Sequence, residues 1–265
     1  MSYHLHAFGG EPTEFANGVL LPTGQSVDGL GAEVPSDVAA TAGGSHFAYG
    51  SGIVPLGVHR INHRGIYFAD VETSVNNFFG LLGQRKKLWR KQEDDGDYQW
   101  KYARLLRCHW DRDVSQSQHA EIISEFEATG YWKSATAIDS TATGTGPYIL
   151  EPVGGGNAPV YGALLTFTAD DAELSAVRMV DEASGIDWTW AGSVAYGTSL
   201  TIDCGAFSVQ NNGVDAYSTF VLNNDHASDY WCAILPGTDN EFTVTLTVSA
   251  PGLHLSEIEW YDSWV

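Results

Sequence analysis

The sequence predicts a mainly β protein built from two domains. Gly is frequent at 29 residues, and Thr, Ser, Val and aromatic residues are plentiful, which favours strands and turns over helices. A chain of 265 residues fits one large domain or two ordinary ones. Charge is uneven: residues 1–150 hold 12 basic and 17 acidic residues, whereas 151–265 hold Arg178 against 16 acidic residues. We therefore expect an N-terminal domain over 1–150 and a C-terminal domain over 151–265, with 1–50 as an irregular arm or loops.

The N-terminal domain begins its regular structure near residue 53. Residues 53–71 contain two alternating apolar pieces around His63-Arg64-Gly65, which predicts a hairpin. Residues 74–82 carry Val75, Phe78, Phe79 and Leu82 at helical spacing, so this stretch is the predicted helix, and Gly83 is placed to end it.

A basic and aromatic ribbon, residues 80–114, follows that helix. It holds nine of the 13 Lys and Arg and three of the nine Trp, and the acidic Glu93-Asp94-Asp95-Gly96-Asp97 divides it. Gly and Asp are turn formers, so we interpret the ribbon as two strands joined by an acidic turn. In the second strand, alternation puts Ala103, Leu105 and Arg107 on one side and Tyr102 and Arg104 on the other.

A further strand is predicted over 119–132, with Ala120, Ile122, Ser124, Phe126 and Ala128 as its alternating set; a helix through its Glu-rich middle is the alternative. The small, Gly- and Pro-rich residues 133–156 mark the domain boundary. After Asn157 the pattern is all-β and is typical of a sandwich or jelly roll. Its predicted strands are 160–168, 176–181, 188–193, 199–203, 206–209, 231–235, 241–249 and 256–260.

Several classes of function have no support in the sequence. The net charge of −20 argues against nucleic-acid binding, which needs a basic face. The first residues lack the pattern of a signal peptide, and no apolar run is long enough to insert into a membrane. The three Cys are far apart and are expected to be free thiols, and the nine His lack the spacing of metal ligands. No nucleotide-binding or hydrolase motif is present, so we predict no catalytic residues, no cofactor and no metal.

Aromatic residues of the C-terminal domain suggest a glycan site. Trp188, Trp190 and Trp231 are the candidates for stacking on sugar rings, although core packing explains such residues more simply.

The basic ribbon has three interpretations. It is a solvated strand pair, a nucleic-acid site, or a surface that meets an acidic neighbour in an assembly. The acidity of the remaining chain disfavours nucleic acid and suits head-to-tail contact between copies. The candidates for a subunit interface are Arg85, Lys86, Lys87, Trp89, Arg90, Lys101, Arg104, Arg107 and Arg112.

The order of motifs over residues 50–265 resembles the distal tail protein (Dit) family of long-tailed phages. In the first half it comprises Gly80-Leu-Leu-Gly83, Leu88-Trp-Arg90, an acidic turn, Ala103-Arg104-Leu105 and Tyr131-Trp132. In the second half it comprises Gly156-Asn157-Ala158-Pro159, Trp188-Thr-Trp190, Gly197-Thr-Ser-Leu200, Leu235-Pro236-Gly237 and Trp260-Tyr-Asp-Ser-Trp264.

The resemblance implies a structural protein of the virion tail tip or baseplate, assembled in the host cytoplasm, and not an enzyme. Its N-terminal domain would be β-sandwich-like and would form a ring, a homo-hexamer, between the tail tube protein and the tail hub or tail-associated protein. Its C-terminal domain would be a galectin-like sandwich, an attachment point for a receptor-binding protein or a host glycan. A carbohydrate-binding module for host attachment is the alternative function, and a glycan-degrading tail enzyme is a third hypothesis, which would need two suitably spaced carboxylates.

Overall fold

The fold is mainly β, as the sequence predicts. The structure, a computed structural model, describes residues 3–10, 19–20, 24–28, 58–67, 76–92, 97–111, 120–144, 146–181, 183–224, 230–237, 239–250, 252 and 254–264. The chain forms two compact units, Met1–Ala135 with Val265, and Thr136–Trp264. Within the described residues, no helix has the length and apolar character needed to cross a membrane.

The first unit is built on one antiparallel sheet. Its strands are β1 (Tyr3–Phe8), β2 (Val19–Leu20), β3 (Gly24–Asp28), β4 (Val58–Tyr67), β5 (Arg85–Gln92), β6 (Tyr98–Asp111), β7 (Ala120–Thr129) and β8 (Trp132–Ser134). Their order across the sheet is β2-β1-β5-β6-β7-β4-β3, and β8 pairs with one end of β6. The two predicted strands of the ribbon are β5 and β6, and their antiparallel pairing confirms the prediction.

Alternation of apolar and charged residues explains β7 and β4. In β7, the side chains of Ile122, Ser124, Phe126 and Ala128 are buried, while the glutamates point the other way. The strand prediction for this segment is therefore confirmed over its helical alternative.

The hairpin predicted around residues 63–65 is wrong, because β4 is one continuous strand of ten residues. Ile61 and His63 are buried and Arg60, Asn62 and Arg64 are exposed, so the period of two continues through the expected turn. Strand β4 pairs with β7 along its whole length.

Within residues 1–50, most of the described residues lie in strands. Strand β1 pairs with β5 and buries Leu5, Ala7 and Phe8, so residues 3–8 belong to the core sheet, and the short strands β2 and β3 lie at its two edges. The predicted helix is one turn, α1, over 76–79, followed by hydrogen-bonded turns to residue 83; residues 74 and 75 lie outside the described part. Phe78 anchors α1 in the core, and the Gly83 amide donates to the Leu105 carbonyl at 2.8 Å.

A β-bulge in β6 changes the predicted sides of that strand. Pairing with β7 shifts register between Leu105 and Arg107, so Leu105 faces Phe126 whereas Arg107 faces Glu125. Leu105 is fully buried, while the Arg107 side chain is 84% exposed. The expectation that Arg107 shares a side with Ala103 and Leu105 is therefore wrong, because the extra residue of a bulge inverts the alternation beyond it.

The second unit is a sandwich of two antiparallel sheets. One has the order β10-β18-β12-β13-β17 and the other β16-β15-β14-β11-β19-β9. The strands of the two sheets are β9 (Ile138–Gly144), β10 (Tyr148–Leu150), β11 (Leu164–Thr168), β12 (Leu174–Asp181), β13 (Ile186–Val194), β14 (Ser199–Asp203), β15 (Ser208–Asn211), β16 (Val214–Asp215), β17 (Phe220–Leu222), β18 (Phe242–Val248) and β19 (His254–Trp260). A short strand, β20 (Ser263–Trp264), follows and belongs to neither of these two sheets. A 3₁₀ turn over Tyr217–Thr219 links β16 to β17.

The inner faces of the two sheets form one apolar core. Strands β11 and β12 alternate buried with half-exposed or exposed residues, as expected when one face of each sheet meets solvent. Phe167 of one sheet lies edge-on to Trp188 of the other at 6.4 Å between ring centres. Strand β15 turns into β16 at Asn212 and Gly213, whose φ angles are 49° and 78°, the combination that two-residue hairpins use.

Three details differ from the sequence prediction for this unit. Residues 231–235 contain one isolated bridge, at Ile234, and no strand; Val160 and Ile234 exchange two hydrogen bonds of 2.9 Å. The sequence does not predict strands β9, β10, β16, β17 and β20. Strands β9 and β10 lie before residue 151 in the sequence, and they pair with β19 and β18 of the second unit.

Candidate interaction surface

One face of the β5–β6 hairpin alternates cations with aromatic rings. The register pairs Arg85 with Arg104, Lys87 with Tyr102, Trp89 with Trp100 and Lys91 with Tyr98. Because residues directly opposite share a face of a sheet, these eight side chains form one continuous row. We call them the cation–aromatic ladder.

Cation–π contacts hold the charges of the ladder over its rings. The Arg85 guanidinium lies 4.8 Å from the Tyr102 ring centre, and Lys87 Nζ lies 4.5 Å from that of Trp100. Lys91 lies 5.3 Å above Tyr98. Each such contact stabilises by about 0.5–1 kcal/mol at an exposed site, so the cations are held in place before any partner arrives.

The charges of the ladder are accessible, whereas its two Trp rings are not. Arg85, Tyr102 and Arg104 are exposed and Lys87 is half-buried, but Trp89 and Trp100 are buried. Neither Arg85 nor Arg104 forms an ion pair with any residue of the described ranges. A partner approaching this face would therefore meet positive charge first, and Trp89 is not a direct contact.

The opposite face of the hairpin buries two cations. Arg90 is 3% exposed and Lys101 5%, and both lie over the ring of Trp132, at 4.4 and 4.7 Å from its centre. Arg90 Nε donates to Gln99 Oε1 at 2.7 Å. Burial, reinforced by the nearby Arg90 charge, lowers the pKa of Lys101 to about 7.

Arg90 and Lys101 are thus part of the first unit's interior, and neither side chain is exposed for a surface contact. Their long apolar stems allow cationic residues to pack inside when a ring accepts the charged end. Sequence alternation puts these positions on the face opposite to the ladder, but it does not show which face is buried, because both faces of the hairpin carry Lys and Arg. Of the remaining interface candidates, Lys86 is half-buried and Arg112 lies outside the described residues.

Arginine and glutamate side chains pair across β4, β7 and β6. Arg60 Nη1 donates to Glu125 Oε1 at 2.7 Å, and Arg107 Nε lies 3.8 Å from Glu125 Oε2. Arg64 hydrogen-bonds Glu121, and that bond holds the pKa of the Glu121 carboxyl below its usual value. Exposed pairs of this kind contribute about 0–1 kcal/mol and weaken with salt. Part of the positive charge of the ribbon is therefore balanced within the chain, at Arg107 and not at Arg104.

The second unit offers the complementary charge. Residues 136–264 carry 17 acidic residues and one basic residue, Arg178. Arg178 is bound by both oxygens of Asp187, at 3.1 and 2.8 Å, and this contact lowers the pKa of Asp187. The remaining carboxylates of this unit have no basic residue of their own unit to pair with.

The three tryptophans predicted to stack on sugars are core residues. Trp188, Trp190 and Trp231 are each at most 2% exposed. The indole N–H of Trp188 donates to the Trp231 carbonyl at 3.0 Å, and that of Trp190 donates to the Ala216 carbonyl at 3.2 Å. A stacking platform must present a ring face to solvent, and none of the three does, so the structure gives no support to the predicted glycan site at these residues.

The glycine run at 154–156 has a packing role that composition did not reveal. A Cβ on Gly156 would lie 1.9 Å from the Ser263 carbonyl oxygen, and one on Gly155 would lie 2.4 Å from a carboxylate oxygen of Asp262. Asp262 accepts the Gly155 amide and the Trp260 indole N–H. The run is therefore a close backbone approach and not a loose linker. Within the described ranges, no three His, Cys, Asp or Glu side chains come together as a metal site would require.

Comparison with known proteins yields likeness at the level of structure. No protein-family model and no curated protein matches the chain. The crystal structure of phage SPP1 Dit, described as a paradigm of the hub adsorption apparatus in phages that infect Gram-positive bacteria, matches with a TM-score of 0.57 at 12% identity over 98% of this chain and 100% of that chain. Two structures of the phage p2 baseplate in its activated conformation, with Sr and with Ca, give TM-scores of 0.47 and 0.43 at 10% and 11% identity, over the full length of both chains. The likeness to SPP1 Dit shows the fold, and the Dit-like fold expected from the motif order is confirmed.

Proposed function

We propose that the protein is a structural component of a phage tail tip or baseplate, a distal tail protein that forms a ring between the tail tube and the tail hub. The observation that carries the proposal is the likeness to SPP1 Dit, which extends over 98% of this chain and so includes both units. A fold alone does not fix a function. The distribution of charge supplies the second support, because it gives the chain a means of binding its own copies.

The ring is proposed to be a homo-hexamer closed by the first unit. Rings of identical subunits need a heterologous contact, in which one patch meets a different patch on the next copy. The cation–aromatic ladder is one such patch, and carboxylates on a neighbouring copy are its partner. Arg85 and Arg104 supply exposed cations that form no ion pair with another described residue, and Arg107 is the weaker candidate because Glu125 lies near it.

The protein would act by assembly and not by catalysis, with its place in the virion tail and its assembly in the host cytoplasm. The tail tube protein and the tail hub would bind the two ends of the ring, and the second unit would be the attachment point for a receptor-binding protein. With Trp188, Trp190 and Trp231 in the core, no observation favours the carbohydrate-binding alternative, so we propose no second function.

Mass measurement in solution tests the ring directly. Native mass spectrometry and negative-stain imaging of the purified protein at micromolar concentration should give a closed ring of six copies. A persistent monomer, together with no label at the tail tip when virions are treated with antibody to the protein, would contradict the proposal.

Charge reversal tests the role of the ladder. Arg104→Glu should abolish or strongly reduce ring formation while leaving the circular dichroism spectrum and melting temperature of the monomer unchanged. Arg178→Glu is the charge-matched control, since Arg178 lies in the second unit and is paired with Asp187. If Arg104→Glu still forms normal rings, the ladder is a solvated face and not the ring interface. The tail assignment would then be tested by the imaging experiment alone.

A further inference from the structure

Two of the three cysteines meet in the core of the second unit. Cys204 is 1% exposed and Cys232 is fully buried, and both belong to the same apolar cluster. They are 28 positions apart in sequence, and neither spacing nor composition pairs them. Cys108 belongs to the other unit and is half-buried.

The backbone places both cysteines beside residues 160–163. The Cys204 amide donates to the Ala163 carbonyl at 3.0 Å, and Ile234, two residues after Cys232, exchanges hydrogen bonds with Val160. The segments around Gly162 and Gly205 can approach closely because neither residue has a side chain: a Cβ on Gly205 would lie 3.2 Å from the Cα of Gly162.

Aromatic packing holds the same two segments together. Phe207, three residues after Cys204, lies edge-on to Trp231, the residue before Cys232, at 5.1 Å between ring centres. The neighbouring Cys204 side chain and burial together raise the pKa of Cys232. A protonated, buried thiol undergoes thiol–disulfide exchange slowly. Whether the two cysteines are oxidised is therefore determined while the chain folds, and this state persists in the folded protein.

We propose that Cys204 and Cys232 form a disulfide when the chain folds in the presence of a disulfide oxidant such as oxidised glutathione. The thiolate of one cysteine attacks a sulfur of glutathione disulfide, which releases one glutathione thiolate. The second cysteine, as its thiolate, then attacks the mixed disulfide; the Cys204–Cys232 bond forms and a second glutathione leaves. Two protein thiols are oxidised, one glutathione disulfide is reduced to two glutathiones, and the two thiol protons end on the departing thiolates.

The bond closes a loop that crosses from one sheet of the sandwich to the other. The loop begins after β14, includes β15, β16, the 3₁₀ turn and β17, and returns to the bridge at Ile234. Closing a loop of this length reduces the entropy of the unfolded chain. The oxidised second unit should therefore melt about 10 °C higher than the reduced one.

Thiol counting after refolding tests the proposal. The full chain is unfolded, reduced, and refolded in a glutathione buffer that contains the oxidised form. Titration in denaturant should then give one free thiol instead of three, and the intact mass should fall by two hydrogen atoms. Peptide mapping should identify the linked pair as Cys204 and Cys232, and reductant should open the bond much faster in denaturant than in the native protein.

Single variants make the assignment specific. Cys108→Ser should keep the linked peptide and leave no free thiol, whereas Cys204→Ala should lose the link and leave two free thiols. If Cys204→Ala fails to fold, the peptide map of the wild-type protein decides alone. Three free thiols after oxidative refolding, or a link that contains Cys108, would overturn the proposal.

Discussion

Replacement of the buried Lys101 should stabilise the first unit at neutral pH. Lys101→Met keeps an unbranched stem of similar length and removes the ionisable amine. The wild-type amine has a pKa of about 7, lowered from 10.5 mainly by burial and then by Arg90. The unfolded chain holds its proton up to the higher value, so folding must release the proton at any pH between the two.

The size of the effect follows from that shift. A difference of about 3.5 pKa units corresponds to about 5 kcal/mol against the folded state. This penalty is fully present below pH 7, decreases as pH rises, and vanishes above about 10.5. The contact with Trp132 is lost in the variant, which offsets about 1–2 kcal/mol. We therefore expect Lys101→Met to gain about 3 kcal/mol at pH 6 to 7, and to lose that advantage by pH 10.

Urea unfolding measures this difference. Tryptophan fluorescence is followed for both proteins between pH 6 and pH 10. At each pH the unfolding transition of the first unit is compared between wild type and variant, so that the contributions of other titrating groups cancel. Lys86→Met, at a half-buried position of the same hairpin, is the control and should change stability little at any pH. A variant less stable than wild type at pH 6, or a difference that does not vary with pH, would refute the assignment of Lys101 as a desolvated cation.

Three further substitutions test the packing. Gly156→Ala should destabilise the second unit by about 1–3 kcal/mol or more in calorimetry, because its Cβ would overlap the Ser263 carbonyl; an unchanged melting temperature would contradict that approach. Phe78→Ala should cost the first unit about 3–5 kcal/mol in urea unfolding, since the ring is fully buried, and a loss below about 1 kcal/mol would show α1 to be peripheral. Arg107→Ala should change the free energy of unfolding by less than about 0.5 kcal/mol, because Glu125 still pairs with Arg60. A large loss of stability would show that the 3.8 Å pair between Arg107 and Glu125 contributes more than we expect.

Alternation explains which strands could be predicted. Strand β7 and β14 (Ser199–Asp203) were found because each buries one face and exposes the other, so that hydrophobicity repeats every two residues. Strand β9 (Ile138–Gly144) lies at a sheet edge, and its residues are all exposed or half-buried, so it carries no such repeat. It pairs with β19, more than a hundred residues later in the chain, and no local sequence pattern indicates this pairing.

The candidate site was predictable in its composition but not in its geometry. Sequence located the ribbon and the pairing of its strands. Local sequence does not indicate the bulge between Leu105 and Arg107, because a bulge depends on the register with β7. Nor does it show that Arg90 lies inside over Trp132 and Arg85 outside over Tyr102, since alternation puts them on opposite faces without identifying the buried one.

The β15–β16 turn is a suitable place to label the second unit. Gly213 has a positive φ that favours glycine, whereas the neighbouring Val214 is exposed and free of that restriction. An exposed two-residue turn accepts inserted sequence better than the strands beside it. A short epitope inserted in this turn, or a dye-reactive residue in place of Val214, would mark the second unit without entering its core, so that antibody labelling or fluorescence could test the proposed assembly and count its copies.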